Sequence, residues 1–335
     1  MRAWPKVASL GLGLIPVAVL TAMLASIVFN ALPAITDAGI SELASTKFFK
    51  DSATGETHYG VLPTVWGSVE VMIIAMALAL PVSLAMAIFA AELAPGRLGG
   101  AMRMLLGLMS GIPPIVYALM AVLFVAPFMI PKFTGNLSYS DVHPEKIGFT
   151  PAQWPPPDVP WSAGAFAWDR TGINNSVLLG GIMLALLAIP FMAPLIEDAL
   201  HNVPGEPKQA SLALGAGQWR TLTRITLPHA LSGIISAVRL GALKVLGDVM
   251  IVLFVVGFAA PRFPDPPWDV LERNTPLTAL GSGLIGGFTT SGTSSCQSTG
   301  CSVGYFAALV LLVLAFVIVG LTAILERKFR RKFSA

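Results

Sequence analysis

Apolar residues in this chain run in long blocks. They alternate neither with the period of two of a half-buried strand nor with the narrow stripe of a surface helix. Six blocks approach or exceed the roughly 20 mostly apolar residues that a helix needs to cross a bilayer. They lie near residues 7–29, 64–92, 104–130, 175–195, 230–259 and 304–325. The pattern predicts an all-α, polytopic protein with about six spanning helices. No internal repeat of solenoid length interrupts it.

Composition agrees. Hydrophobic residues make up 55% of the 335 and charged residues only 12%. Soluble domains carry about 25% charged residues, so this chain lacks the polar surface to cover a water-facing globule, and lipid is its expected solvent. A net charge of +3 is too small to suggest nucleic acid as a partner. Arg2 and Lys6 precede the first block, as in a signal peptide. That block is longer than the 7–15 apolar residues of a signal core, so a retained helix is expected.

Charge distribution sets an orientation. With the N-terminus in the cytoplasm, six spans return the C-terminus there. The inner segments then hold twelve basic residues: Arg2, Lys6, Arg97, Arg103, Lys208, Arg220, Arg224, Arg327, Lys328, Arg330, Arg331 and Lys332. The three longer outer loops hold seven. This is the positive-inside pattern. Two outer loops, 131–173 and 260–303, are interrupted by prolines (QWPPPDVPW, APRFPDPPWD) and are expected to be irregular. They either dock a soluble partner or merely connect spans. Cys296 and Cys301 lie in the second loop. They form a small disulfide if it faces an oxidising compartment, or stay as two thiols.

The segment Val203–Ile234, on the inner side, reads as two short helices joined at a glycine. Ala210, Leu212, Ala213 and Leu214 supply one weak apolar face, Gly215 and Gly217 the bend, and Trp219, Leu222, Ile225 and Leu227 a second apolar face. Pro228 is expected to open the fifth span, since proline suits a helix start. So ordered a loop between spans suggests a docking surface.

This stretch resembles the coupling loop of ABC-importer permeases, with its EAA, three residues, Gly, nine residues, Ile-x-Leu-Pro pattern. Gln209-Ala210-Ser211 occupies the EAA position; Gly215 and Ile225-Thr226-Leu227-Pro228 follow at the family's spacing. Gln209 departs from the usual glutamate. Further segments are similar to the phosphate permeases of the family: YGVLPTVWGSV at 59–69, FAAELAP at 89–95, SGIPPIVYALMAV at 110–122, NNSVLLGGIMLALLAIPFMAP at 174–194 and LGALKVLGDVMIVLFVVG at 240–257. The last favours the PstC type over the PstA type. The resemblance implies an N-terminal helix and outer loop over 1–60 and a permease core over 61–335, with the coupling loop near 203–228. It implies passage of phosphate across the inner membrane, both termini inside. It also implies ATP-binding subunits docked at Gln209, Ala210, Ser211, Gly215, Trp219, Ile225, Leu227 and Pro228, a second permease subunit of PstA type, and a phosphate-binding protein. ATP is used by the partner, and this chain binds no cofactor. No GxxxxGK[ST] loop, HExxH or Ser/His/Asp constellation occurs.

Ionisable groups within spans cost at least about 2.5–3.5 kcal/mol each on insertion scales and mark functional sites by default. Arg239, Lys244 and Asp248 lie in the fifth span and Glu70 in the second. On a continuous helix, Lys244 and Asp248 are neighbours at i and i+4 and are expected to pair; Arg239 points about 140° away. By resemblance Lys244 stands where the family has Arg, and Asp248 where it has Glu. The expectation is a phosphate path containing Lys244, Asp248, Arg239 and Glu70, with the alternative of a structural ion pair. Glu70 either pairs with Arg239, faces the cavity, or reaches the outer headgroups. Gly111, Pro113, Pro114 and Pro190 are candidate helix breaks. Rival readings are a permease for another oxyanion, a stand-alone channel or ion-coupled transporter, and a structural membrane protein.

Overall fold

A computed structural model describes residues 4–46, 48–50, 57–94, 96–125, 176–257, 276–281, 284 and 299–333. The loop 131–173, Cys296 and most of 260–303 lie outside these residues, and so does the expectation of an irregular chain placed on them; Cys301, which is described, is disulfide-bonded.

The architecture is a helical bundle. Helix α1 spans Trp4–Asp37, and a short α2 covers Ile40–Leu43. Strands β1, Phe48–Lys50, and β2, Thr57–Tyr59, pair antiparallel with Phe49 opposite His58. Helix α3, Leu62–Ile88, continues through a π-helical turn at Phe89–Leu93. Then come α4, Gly96–Ser110, and α5, Pro114–Met120, the latter extended by a π turn at Ala121–Val125. Helix α6 is Val177–His201 and α7 is Gly205–Ala213. Helix α8, Gln218–Thr221, passes through a π turn at Leu222–Thr226 into α9, Leu227–Leu246. A further π turn covers Val252–Val256, and α10 is Thr299–Phe333. Among the described residues, five helices are long and apolar enough to cross a membrane, or six spans result if α4 and α5 make one bent span.

The candidate break at Gly111–Pro114 is present, and two features of the fifth span differ from the pattern-based expectation. The third span is broken: α4 and α5 meet at 90° across Gly111–Pro113. Proline removes donors and clashes with the preceding turn, so SGIPP cannot continue a helix. The Tyr117 hydroxyl reaches back over the elbow and donates to the Met109 carbonyl at 3.0 Å. The fifth span is broken too, since α9 stops at Leu246 and the chain restarts beyond Asp248. Pro228 does not open that span, because helix begins ten residues earlier at Gln218. The π turn permits this. The Leu227 N–H bonds back to the Leu222 carbonyl, so a widened turn sits directly before the proline ring and relieves the clash an α turn would impose.

Helix α6 is the centre. It packs on α3, α4 and α9, while α1 lies along α10. Buried side chains such as Met183, Leu184, Met192 and Ile196 fill its surroundings. With lipid outside, nothing hydrophobic drives helices together, so close approach depends on small residues. A Cβ on Gly181 of α6 would fall 2.5 Å from Ile74 Cγ2 of α3, and one on Gly233 of α9 would fall 2.5 Å from the Ala199 Cβ of α6. Exposed apolar side chains line the outer faces, including Leu14, Leu20 and Phe29 on α1 and Phe316, Leu321 and Ile324 on α10. Such a surface suits lipid or another apolar subunit and does not suit water.

Candidate functional site: an exposed helical hairpin and the polar groups of the ninth helix

Helix α7 has no buried residue. Its end is shaped by Gly215, at φ +80°. The Ala216 N–H bonds to the Ser211 carbonyl at 3.1 Å and the Gly215 N–H to the Leu212 carbonyl at 3.0 Å. This is the Schellman pair of bonds, which needs a left-handed residue at the position glycine occupies. The chain then turns into α8, and the Ser211 and Thr221 hydroxyls bond across the turn at 2.9 Å. The expected two helices joined at a glycine are present.

The hairpin presents apolar groups outward. Leu214 is 88% exposed, Trp219 67% and Leu212 47%. Gln209 and Ala210 are exposed and Ser211 is half-buried, while Leu222 and Thr226 are buried, with Ile225, Leu227 and Pro228 half-buried behind them. Residues 222–228 therefore seat the hairpin, and 209–219 face outward. A protruding Trp is a residue type enriched at the energetic centres of protein contacts. Because a non-glycine residue in the left-handed region costs about 1–2 kcal/mol, Gly215→Ala should weaken binding of whatever seats on this hairpin by up to about five- to thirtyfold. Pull-down of the isolated ATPase on the detergent-solubilised complex measures this.

The polar groups of the fifth span are arranged differently from the i, i+4 expectation. With α9 ending at Leu246, Asp248 leaves the helix. Its carboxylate accepts the Ile251 N–H at 2.8 Å and so caps the following turn. Asp248 is buried and Lys244 exposed, and among the described residues no carboxylate lies within ion-pair distance of Lys244. Lys244 and Asp248 therefore make no direct ion-pair contact, because the break at Gly247 removes the shared helical face, but the two opposite charges still attract each other. Arg239, on another side of α9, pairs with Glu326 of α10 at 3.7 Å. Glu70 is buried in the first half of α3. Among the described residues no cluster of three or more His, Cys, Asp or Glu could hold a metal.

Two ion pairs on the α7 side were not anticipated. Lys208 Nζ of α7 lies 2.6 Å from Glu92 at the end of α3. Arg103 of α4 pairs with the buried Glu197 of α6, whose other neighbour is His201 at 3.5 Å. The signal was present in the sequence. Acids are scarce on the basic side, and Glu92 and Glu197 each answer one of its cations.

Residues 79–331 match the model of the family described as "binding-protein-dependent transport system inner membrane component". The chain belongs to this family. It is an integral inner-membrane permease subunit of an ABC importer. It is 28% identical over 330 residues to "Phosphate transport system permease protein PstC 1" of Mycobacterium tuberculosis, covering 94% of this chain and 90% of that one. With PstC of Xylella fastidiosa, strain Temecula1, it is 28% identical over 277 residues, 83% of this chain and 76% of that one. Among solved structures, a bacterial ABC transporter involved in import of the acidic polysaccharide alginate superposes with a TM-score of 0.58, at 13% identity, over 98% of this chain and 99% of that one. An inward-facing MetNI methionine ABC transporter gives 0.54, at 16% identity, over 80% and 95%. At such identities these structures speak for the fold alone. The MetI-like permease fold agrees with what the resemblance implies.

Proposed function

We propose that this chain is the PstC-type translocation subunit of an ATP-driven importer that carries inorganic phosphate into the cytoplasm. The observation that carries the reading is similarity to phosphate permeases over nearly the full length of both chains. The exposed hairpin supplies the physical means. Each importer half needs a rigid protrusion through which an ATPase moves the membrane domain, and residues 209–219 form one. ATP is hydrolysed on the partner subunits. A PstA-type second permease covers the apolar faces of this chain, and a phosphate-binding protein delivers the anion at the outer mouth. Both termini lie inside. The chain itself holds no cofactor.

Lys244 and Asp248 stand on the proposed path beside the break in the fifth span, with Arg239 and Glu70 on the elements flanking it. Lys244 is exposed and is not bonded directly to a carboxylate among the described residues, so its charge can meet an anion. Asp248 fixes the break that leaves it so. The division into an N-terminal segment, 1–60, and a core from 61 belongs to the same reading.

ATP-dependent uptake of labelled phosphate into vesicles containing the complete complex tests the proposal. Excess unlabelled phosphate should compete and excess sulfate or molybdate should not. Competition by another oxyanion alone would keep the machine and replace the substrate. Uptake without ATP would overturn the reading in favour of a channel.

A further inference from the structure

Seating the first half of the coupling hairpin is a physical problem. Residues 222–228 seat its second half, but no residue of α7 is buried, so hydrophobic burial does not fix α7 itself against the membrane domain. Its polar contacts must do so. One, Ser211 with Thr221, stays within the hairpin. The other set belongs to Lys208. Its ammonium is bonded to Glu92 Oε1 at 2.6 Å and lies 3.4 Å from the Leu200 carbonyl. A single side chain therefore ties α7 to the end of the second span and to the end of the fourth.

The position of Glu92 gives this contact a mechanical role. It sits in the π turn Phe89–Leu93, directly before the chain turns at Ala94 into α4. Helix α4 is held to α6 by Arg103 and Glu197, and at its far end Tyr117 clasps it to α5 across the 90° elbow. Helix α5 and its π extension pack against residues 252–256, the turn that Asp248 caps. A displacement of α7 has two routes into the membrane. One is covalent, through α8 and α9. The second runs through Lys208 and Glu92 into the root of α4, and from there to the far side of the same break. A side chain bridging separate helices is what a rigid link requires, and its partial burial shields the pair from salt screening.

We propose that Lys208 and Glu92 are a transmission contact: they position α4 in response to the coupling helix, so that the broken third and fifth spans move together when the ATPase acts. This rests on the importer reading above. If the wild-type complex shows no ATP-driven phosphate uptake, that reading fails first. If it does, the variants decide this one.

The experiment measures phosphate taken up per ATP hydrolysed by the complete complex in proteoliposomes. Glu92→Gln and Lys208→Met should each lower that ratio about fivefold, with assembly and ATP hydrolysis retained. The double variant should be no worse than either single, because both remove the same contact; independent roles would multiply to about 25-fold. An unchanged ratio in the singles, or a double loss nearer the product than the single, would overturn the proposal. Should Glu92→Gln fail to assemble, Glu92→Asp shortens the arm while keeping the charge, and adding Lys208→Arg should restore the ratio. No restoration would equally count against the contact.

Discussion

Replacing Lys244 with methionine is expected to lower ATP-driven phosphate uptake by about ten- to a hundredfold, with the complex assembled at normal levels. The magnitude follows from losing a hydrogen bond to a charged ligand, worth about 1.5–3 kcal/mol. Assembly should survive because Lys244 is exposed and makes no ion-pair contact within 4 Å among the described residues. Asp248 loses one attractive charge but keeps the Ile251 N–H bond. Lys244→Arg should keep most activity, since a guanidinium also donates to phosphate. Asp248 separates two roles. Asp248→Asn keeps an oxygen for the Ile251 N–H and should preserve the fold, since Asn is as good a cap as Asp. It removes only the charge. Asp248→Leu removes the cap as well and should cost about 1 kcal/mol in stability besides. Normal uptake by an assembled Lys244→Met complex would remove the lysine from the path.

Gly181→Val should sharply reduce the amount of folded permease. Even alanine there places a Cβ 2.5 Å from Ile74 Cγ2 and 2.7 Å from Ile74 Cβ. The obstacle is a β-branched side chain at its root, stiff about χ1, so it cannot swing aside as a methionine tip could. Overpacking of this kind costs about 1–3 kcal/mol, and valine brings two further methyl groups. Ile74→Ala in the same chain should recover much of the loss by opening the space. Yield and thermal aggregation of the purified complex report both effects. Equal yields for Gly181→Val and wild type would mean that α3 and α6 do not approach so closely.

How far the sequence discloses this arrangement depends on the kind of signal. Apolar runs locate every span, because the bilayer imposes a length that composition must meet. Prolines announce the elbow at 111–113, and Gly215 announces the hairpin. The break at Gly247 is concealed. VLGDVMIVLFVVG is apolar nearly throughout, so hydropathy carries on across a point where the helix stops, and the i, i+4 spacing of Lys244 and Asp248 assumes a continuity that is absent. Pro228 misleads in the opposite sense, since it looks like a start but a π turn accommodates it inside a longer helix. The Lys208–Glu92 and Arg103–Glu197 pairs join positions about a hundred residues apart. No local pattern reports such proximity, although the rarity of acids on the basic side narrows the choice.

Helix α7 contributes nothing to the interior. Its outward residues can therefore drift with little consequence for folding, constrained mainly by the surface they meet. Selection can retune which ATPase this subunit accepts while the membrane-embedded part stays as it is. A lineage that duplicated such a permease would have, in about ten exposed positions, the means to keep two sets of motors from being exchanged.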